Sequence, residues 1–199
     1  MPKWSVSPPL FRSHANVYRI LPALVARDED GNVAIETIII IPILFWAYLS
    51  MFSIFDAYRQ YALNEKAAYT IGDMVSRQTT PLDDAYLDGA RAVLKYLTRS
   101  RNDQDPSIRV TSIKYDANND IYKRDWSHTR GAGILALTNN DVKNWHDRLP
   151  IMLHNERIVV VETFVDYDPP FNTGLNNTTI TKFVFTRPRY TPQVLWQGS

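Results

Sequence analysis

One long apolar segment interrupts the otherwise mixed pattern of polar and hydrophobic positions along this chain. Residues 37–55 carry no charge and are almost wholly apolar, and no other stretch of the 199 residues is comparable. A helix of that length is roughly 28 Å long, close to the hydrocarbon thickness of a bilayer. The pattern predicts a transmembrane helix over residues 32–55, preceded by a segment of residues 1–31 and followed by a domain of residues 56–199.

The helical pattern continues beyond the apolar segment. Apolar residues recur at spacings of three and four up to residue 78, and Thr79-Thr80-Pro81 then interrupts the pattern. We therefore predict one long helix from Asn32 with a buried outer face, and we expect its tyrosines, Tyr69 included, to pack rather than bind. The predicted buried face comprises Tyr58, Tyr61, Ala62, Ala68, Ile71 and Val75.

The remainder of the chain mixes helical and strand-like periods. Residues 157–167 form the strongest strand pattern and are expected to lie centrally in a sheet. The order of elements predicts an α+β fold, with a long N-terminal helix followed by a mainly antiparallel sheet and two helices. The other predicted elements are helices at 81–100 and 138–148 and strands at 107–115, 121–126 and 178–186, with a loop at 127–133.

Composition excludes several kinds of site. The net charge of +1 gives no electrostatic reason to expect nucleic acid as a partner. Because the chain has no cysteine, disulfides, zinc–thiolate sites and cysteine nucleophiles are excluded. The histidines are His14, His128, His146 and His154, and their spacing is not that of metal ligands on one helix. With no catalytic constellation in view, we expect no enzyme activity, no cofactor and no metal.

One turn imitates a calcium loop. Asp116, Asn118 and Asp120 stand at the first, third and fifth positions of an EF-hand-like pattern. Ile121 replaces the glycine that the loop needs, and Ser127 replaces the closing glutamate. We therefore predict a hairpin turn between two strands.

The start of the apolar segment carries a second pattern. Gly31 follows a polar leader, and a glutamate, Glu36, stands at the fifth position after it, directly before the apolar run. This arrangement resembles a type IV prepilin processing site. More closely, Gly31, Ala34, Ile35, Glu36 and Pro42 resemble the TadE-like pseudopilins of the tight-adherence (Tad/Flp) pilus systems of bacteria. Thr37 stands where that family usually has an aromatic residue. The strand ending Val-Asp-Tyr-Asp-Pro and the later Arg-Pro-Arg are also similar to that family.

The resemblance implies roles for the residues that carry it. A prepilin peptidase would cleave after Gly31 and free the amino group of Asn32, and Glu36 would pair with the amino terminus of a neighbouring subunit. Pro42 would help the helix bend in the membrane. The implied function is that of a minor pilin or pseudopilin in pilus assembly for secretion, surface attachment and biofilm formation. The implied partners are the peptidase, the major pilin, a sister pseudopilin, the inner-membrane assembly platform and the lipid bilayer.

The same resemblance implies a single-pass protein of the bacterial inner membrane, with a cytoplasmic N-terminus and a periplasmic domain. Loop charge favours the same orientation, because basic residues are more numerous before the span than just after it. They are Lys3, Arg12, Arg19 and Arg27 before the span, and Arg59 and Lys66 after it.

Two other functions fit the general pattern. A membrane-anchored extracytoplasmic binding or sensor domain would show no processing at Gly31 and would have a pocket for a small molecule. A membrane-tethered enzyme is less favoured, because no nucleophile–base pair or metal set is visible. Glu36 discriminates between a pilin and a simple anchor, because an anchor has no use for a carboxylate beside its apolar segment.

Overall fold

The structure is a computed structural model that describes residues 21–100 and 105–197, with side chains from residue 33 onward. It confirms the α+β class: a long apolar N-terminal helix is followed by a domain with a four-stranded antiparallel sheet and two helices. The described residues fall into two separate compact units, divided between Leu49 and Ser50. The elements are α1 (Leu21–Ser76), α2 (Asp84–Thr98), β1 (Ser107–Asp116), β2 (Ile121–Arg130), α3 (Asn139–Val142), β3 (Arg157–Tyr167) and β4 (Thr178–Thr186).

Helix α1 is longer at its start than predicted. It begins at Leu21 rather than at Asn32 and ends at Ser76, shortly before the predicted Thr79-Thr80-Pro81 break. A proline in the first turn of a helix is tolerated, because its missing N–H has no partner there. A glycine inside a helix costs only about 1 kcal/mol relative to alanine, so Gly31 does not end the helix.

The buried face of α1 differs from the predicted tyrosine stripe. Ala68, Ile71 and Val75 are buried as predicted, but the other three members of the predicted face, Tyr58, Tyr61 and Ala62, are exposed. Two stripes on this helix satisfy helical spacing, and the one that faces the sheet is formed by small and polar residues, which let the two backbones approach closely. The remaining buried residues of this face are Ser53, Asn64, Ala67, Gly72 and Ser76.

The sheet has the strand order β2-β1-β3-β4, and all its pairs are antiparallel. The predicted central position of β3 is confirmed, since it lies between β1 and β4 and its Ile158–Val161 run is completely buried. Strand β2 continues to Arg130, where a loop had been predicted from Ser127. The end of β2 carries polar side chains, but its backbone pairs with β1 in a register that shifts once, between Ser112 and Ile113.

Two hydrophobic clusters lie on the two faces of the sheet. One packs α1 and α2 against Val110, Val159 and Val161, and the other lies beneath residues 131–155. The predicted helix of residues 138–148 is divided into α3 and a 3₁₀ turn, Trp145–Asp147. Val142, Trp145 and Leu149 nevertheless face the core together.

A C-terminal strap, residues 194–197, closes the first cluster. The backbone N–H of Leu82 donates to the carbonyl of Leu195 at 2.8 Å, and the N–H of Gln197 donates to the carbonyl of Leu82 at 2.7 Å. The indole of Trp126 donates to the carbonyl of Val194 at 2.9 Å. Trp196 lies flat on His128, with 3.6 Å between the ring centroids.

Candidate functional site

The apolar part of α1 is the first feature that requires a function. Among the described residues, one helix is long and apolar enough to cross a membrane, and it lies near the N-terminus. Its large side chains face outward along its whole circumference; Ile38, Ile43 and Phe45 are each 60% exposed or more. A helix that is apolar on all sides and unburied matches a bilayer as its surroundings.

Glu36 lies at the start of this apolar run with its side chain exposed. Its carboxylate makes no hydrogen bond or ion pair with any residue that the structure describes. The next residue, Thr37, donates its hydroxyl to the carbonyl of Val33 at 2.8 Å, so it is satisfied within the helix. Asn32 precedes Glu36 by one helical turn, which places the two residues on the same helix face.

Gly31 and Pro42, the other two residues that the sequence pattern selected, also lie within α1. Pro42 has no N–H to donate to the carbonyl of Ile38, and such a gap is tolerated in membrane-spanning helices. The structure thus places all four residues on one continuous helix.

The outer half of α1 is joined to the sheet by polar contacts that the sequence pattern did not reveal. At the end nearest the apolar segment, the Tyr167 hydroxyl lies 3.1 Å from Oδ2 of Asp56 and 3.4 Å from the carbonyl oxygen of Ser53. Burial, aided by the negative charge of Asp56, raises the pKa of Tyr167 to about 12. The phenol is therefore a neutral hydrogen-bond donor at ordinary pH.

Asn64 forms the central contact of this interface. Its side-chain amide donates to the carbonyl of Ile180 at 2.9 Å, and its side-chain oxygen accepts from the Thr163 hydroxyl at 2.8 Å. Both side chains are buried. Farther out, Lys182 pairs with Glu65 at 3.1 Å. Because the buried contacts of Asn64 and Tyr167 each join a particular helix residue to a particular strand residue, they set the position of α1 along the sheet, and the exposed Lys182–Glu65 pair adds little to it.

A buried ion pair lies on the opposite face of the sheet. Glu162 is buried, and Nε of Arg109 lies 2.6 Å from its Oε2 atom. Arg148 approaches the other carboxylate oxygen at 3.8 Å and stacks on Trp145 and Phe183. Because two guanidinium groups face one buried carboxylate, this ion pair is suited to fixing how β1, β3 and residues 145–148 pack together.

The predicted hairpin turn is confirmed between β1 and β2. The Oδ2 atom of Asp116 accepts from Lys123 at 2.6 Å and from Asn119 at 2.9 Å. The hydrogen bond from Lys123, supported by that from Asn119, holds the pKa of Asp116 well below its usual range. Asp120 accepts from the Tyr115 hydroxyl at 2.6 Å. These oxygens are occupied by donors of the chain itself, which is unlike a calcium loop.

The histidines occupy separate environments. His146 contacts Asp120 at 3.1 Å, and His154 accepts from the N–H of Ala117 at 3.1 Å through its Nδ1 atom. His128 belongs to the strap contact, and His14 lies outside the described residues. In the part of the chain that the structure describes, no three His, Asp or Glu side chains are arranged to hold a metal ion.

A groove beside α2 is relevant to the binding-domain hypothesis. It has a volume of about 540 Å³ and is open to solvent along Tyr96, which is 82% exposed. Its lining combines the hydrocarbon of Leu63 and Leu97 with the cations of Lys95 and Arg99. Enclosed pockets bury most of a ligand's surface, and this open groove does not have that shape.

Comparisons with protein-family models, with curated proteins and with solved structures found no match to this chain. The functional interpretation therefore depends on the apolar helix, the carboxylate at its start and the domain that follows.

Proposed function

We propose that this protein is a TadE-like minor pilin or pseudopilin, anchored in the bacterial inner membrane as a component of tight-adherence pilus assembly. The observation that carries the proposal is Glu36, an exposed carboxylate without a partner among the described residues, at the start of an apolar helix. An acid costs about 3 kcal/mol at the centre of a membrane helix and less near its end. A carboxylate retained there at a cost in free energy calls for a partner beyond the described residues.

The proposed partner is a positive charge on a neighbouring subunit. Cleavage after Gly31 would create such a charge at the amino group of Asn32, one helical turn from Glu36. In a low-dielectric environment each charge is costly alone, and the pair offsets part of that cost. Apolar helices that slide freely in lipid would thereby gain one preferred register. In this proposal the protein is not an enzyme and acts through assembly with the major pilin, a sister pseudopilin and the inner-membrane platform.

The groove beside α2 favours a second candidate, an anchored extracytoplasmic binding or sensor domain. The lysine of its lining, Lys95, already pairs with Asp105 at 2.5 Å, so Arg99 is the cation that would suit an anionic ligand. This candidate leaves Glu36 without a role, because a simple anchor is equally stable or more stable with an apolar residue at that position.

Processing is tested by N-terminal sequencing of the protein from membranes of cells with and without the prepilin peptidase. We expect a mature start at Asn32 only in cells that contain the peptidase. An intact leader in both strains would overturn the processing proposal and favour the anchored binding domain.

The assembly role is tested with Glu36→Gln, which removes the charge and keeps the side-chain size. We expect loss of co-purification with the major pilin, while the variant still resists carbonate extraction from membranes. Glu65→Gln is the matched control, because Glu65 is an exposed acid on the same helix outside the apolar segment. Equal co-purification of both variants would contradict a role for Glu36 in assembly.

A further inference from the structure

The loop between β3 and β4, residues 168–177, lies beside the last turn of the apolar segment. The ring of Phe171 packs edge-to-face on the ring of Phe52, with 5.8 Å between centroids. Just before the loop, Tyr167 is hydrogen-bonded to the carbonyl of Ser53. Phe52 and Ser53 belong to the uncharged run of residues 37–55. The loop is therefore level with the apolar segment itself.

The composition of this loop is unusual for a tip exposed to water. Residues 169–177 contain no charged residue, and they present Phe171 and Leu175 at 40% and 37% exposure. On α1 nearby in sequence, Met51, Ile54 and Phe55 are also exposed. The exposed polar members of the loop are the asparagines Asn172, Asn176 and Asn177, which can bind lipid headgroups without bringing charge into the interface.

We propose that the β3–β4 loop inserts Phe171 and Leu175 into the headgroup–acyl boundary of the bilayer that the apolar helix spans. The inference rests on the membrane anchoring in the proposed function, but not on processing or pilus assembly. Phe52 must share the surroundings of the apolar segment, and Phe171 contacts its ring directly. Phenylalanine and leucine are among the side chains that interfacial segments bury about 5–10 Å into this boundary.

Lipid fits this loop better than a folded partner does. Its exposed apolar side chains adjoin the end of the uncharged apolar run through the contact of Phe171 with Phe52, so the surroundings of that run extend to the loop. The two prolines at 169 and 170 restrict the backbone before Phe171 and reduce the conformational entropy that insertion would cost. The helix and the loop then contact the membrane at two separate points of the chain, and the second point limits rotation of the domain about the helix axis.

The absence of cysteine allows a direct test in the full-length protein. Single cysteines are introduced by Phe171→Cys and Leu175→Cys, labelled with a nitroxide, and reconstituted in vesicles of phosphatidylethanolamine and phosphatidylglycerol. Collision with oxygen, which concentrates in lipid, is compared with collision with a water-soluble nickel chelate. We expect oxygen to dominate at both loop positions.

Two further labels serve as controls. Leu44→Cys reports the apolar segment and should favour oxygen. Tyr190→Cys replaces an exposed aromatic residue whose neighbour Arg189 is bonded to Ser76. Ser76 lies about 35 Å along α1 from Ser53, so the label at position 190 should favour nickel. Phe171→Cys removes the contact between the rings of Phe52 and Phe171, whereas Leu175→Cys keeps it. Comparing the two labels therefore shows whether the loss of that contact alters the result at position 171.

The outcomes separate the two levels of the proposal. If position 44 favours oxygen and the loop positions favour nickel, the inserted loop is wrong and the membrane span stands. If position 44 also favours nickel, the span itself is wrong. If the loop labels are shielded from both reagents, a protein such as a second copy covers the loop, and lipid insertion is overturned.

Discussion

At the residue scale, buried polar side chains give this small domain its specific contacts. Glu162 is 3% exposed, and Arg109 compensates its charge. The sequence offered no periodic signal for this pair, because it consists of one acid in an apolar strand and one base in a neighbouring strand. Only the register of β1 on β3, which places Arg109 opposite Glu162, brings them together. Glu36 was identifiable because it stands alone beside a long apolar run.

Glu162→Gln is predicted to destabilise the domain strongly. The substitution leaves the cation of Arg109 half-buried without its carboxylate, and removal of one partner of a buried pair costs about 3–5 kcal/mol. The measurement is urea unfolding of the purified protein in detergent, followed by tryptophan fluorescence. Glu65→Gln, at an exposed ion pair, should cost less than about 1 kcal/mol. Similar losses of unfolding free energy in the two variants would show that the Glu162 ion pair contributes no more to stability than an exposed pair does.

At the element scale, the C-terminal strap depends on the protonation state of one histidine. His128 is stacked on Trp196, and burial, opposed in part by the charge of Asp84, lowers its pKa from the ordinary value. The folded chain therefore binds fewer protons than the unfolded chain between the lowered pKa and the usual value of about 6.5. The stabilisation from neutral His128 is fully present above that range and is lost as the pH falls through it.

His128→Phe is predicted to reduce the pH dependence of stability. Phenylalanine retains the ring that stacks on Trp196 and does not titrate. The free energy of unfolding is measured at several pH values between about 7.5 and about 5, a range that brackets the usual histidine pKa of about 6.5. As the pH falls, it should decrease less in the variant than in the parent protein. His154→Phe removes a histidine distant in sequence from the strap and serves as the comparison. If the free energy of unfolding depends on pH equally in His128→Phe and in the parent protein, His128 is not the group responsible.

The elements with one clear period were predictable, and those with competing patterns were not. Strands β3 and β4 begin and end where the sequence predicted, because each alternates or clusters apolar residues between turn residues. The end of β2 was missed because backbone pairing with β1 holds residues that have no apolar alternation of their own. The sequence assigns the buried face of α1 to the side with the tyrosines, because large rings are the stronger hydrophobic signal. The small residues that face the sheet give no such signal in a single sequence.

At the scale of the whole molecule, the domain depends on how firmly α1 is held against the sheet. This interface has few large apolar residues, and Asn64 supplies hydrogen bonds to two different strands, β3 through Thr163 and β4 through Ile180. Its satisfied polar groups make the interface specific for one position of the helix. The apolar segment and the α+β domain were predictable from the sequence; the polar contacts that join α1 to the sheet were not.

Asn64→Leu is predicted to loosen this interface. It leaves the Thr163 hydroxyl and the Ile180 carbonyl buried without their partner. The free energy of unfolding falls by about 1–3 kcal/mol for each buried group that loses its partner. Faster hydrogen exchange should appear in both α1 after Asp56 and strand β4. Tyr69→Leu, an exposed change on the same helix, should leave exchange unaltered. Combining Asn64→Leu with Thr163→Val should restore part of the loss, because the hydroxyl that lacks a partner is removed.

The contact between Tyr167 and Ser53 also has a mechanical consequence. The carbonyl that Tyr167 binds belongs to the apolar segment, and helix α1 continues without interruption into the residues that pack on the sheet. No loop separates Ser53 from the helix residues that pack on the sheet, so a force applied to the sheet reaches the last turn of the apolar segment through this hydrogen bond and through the helix itself. In the membrane-anchored state that we propose, the work done on the domain would go into withdrawing the apolar surface of that turn from lipid.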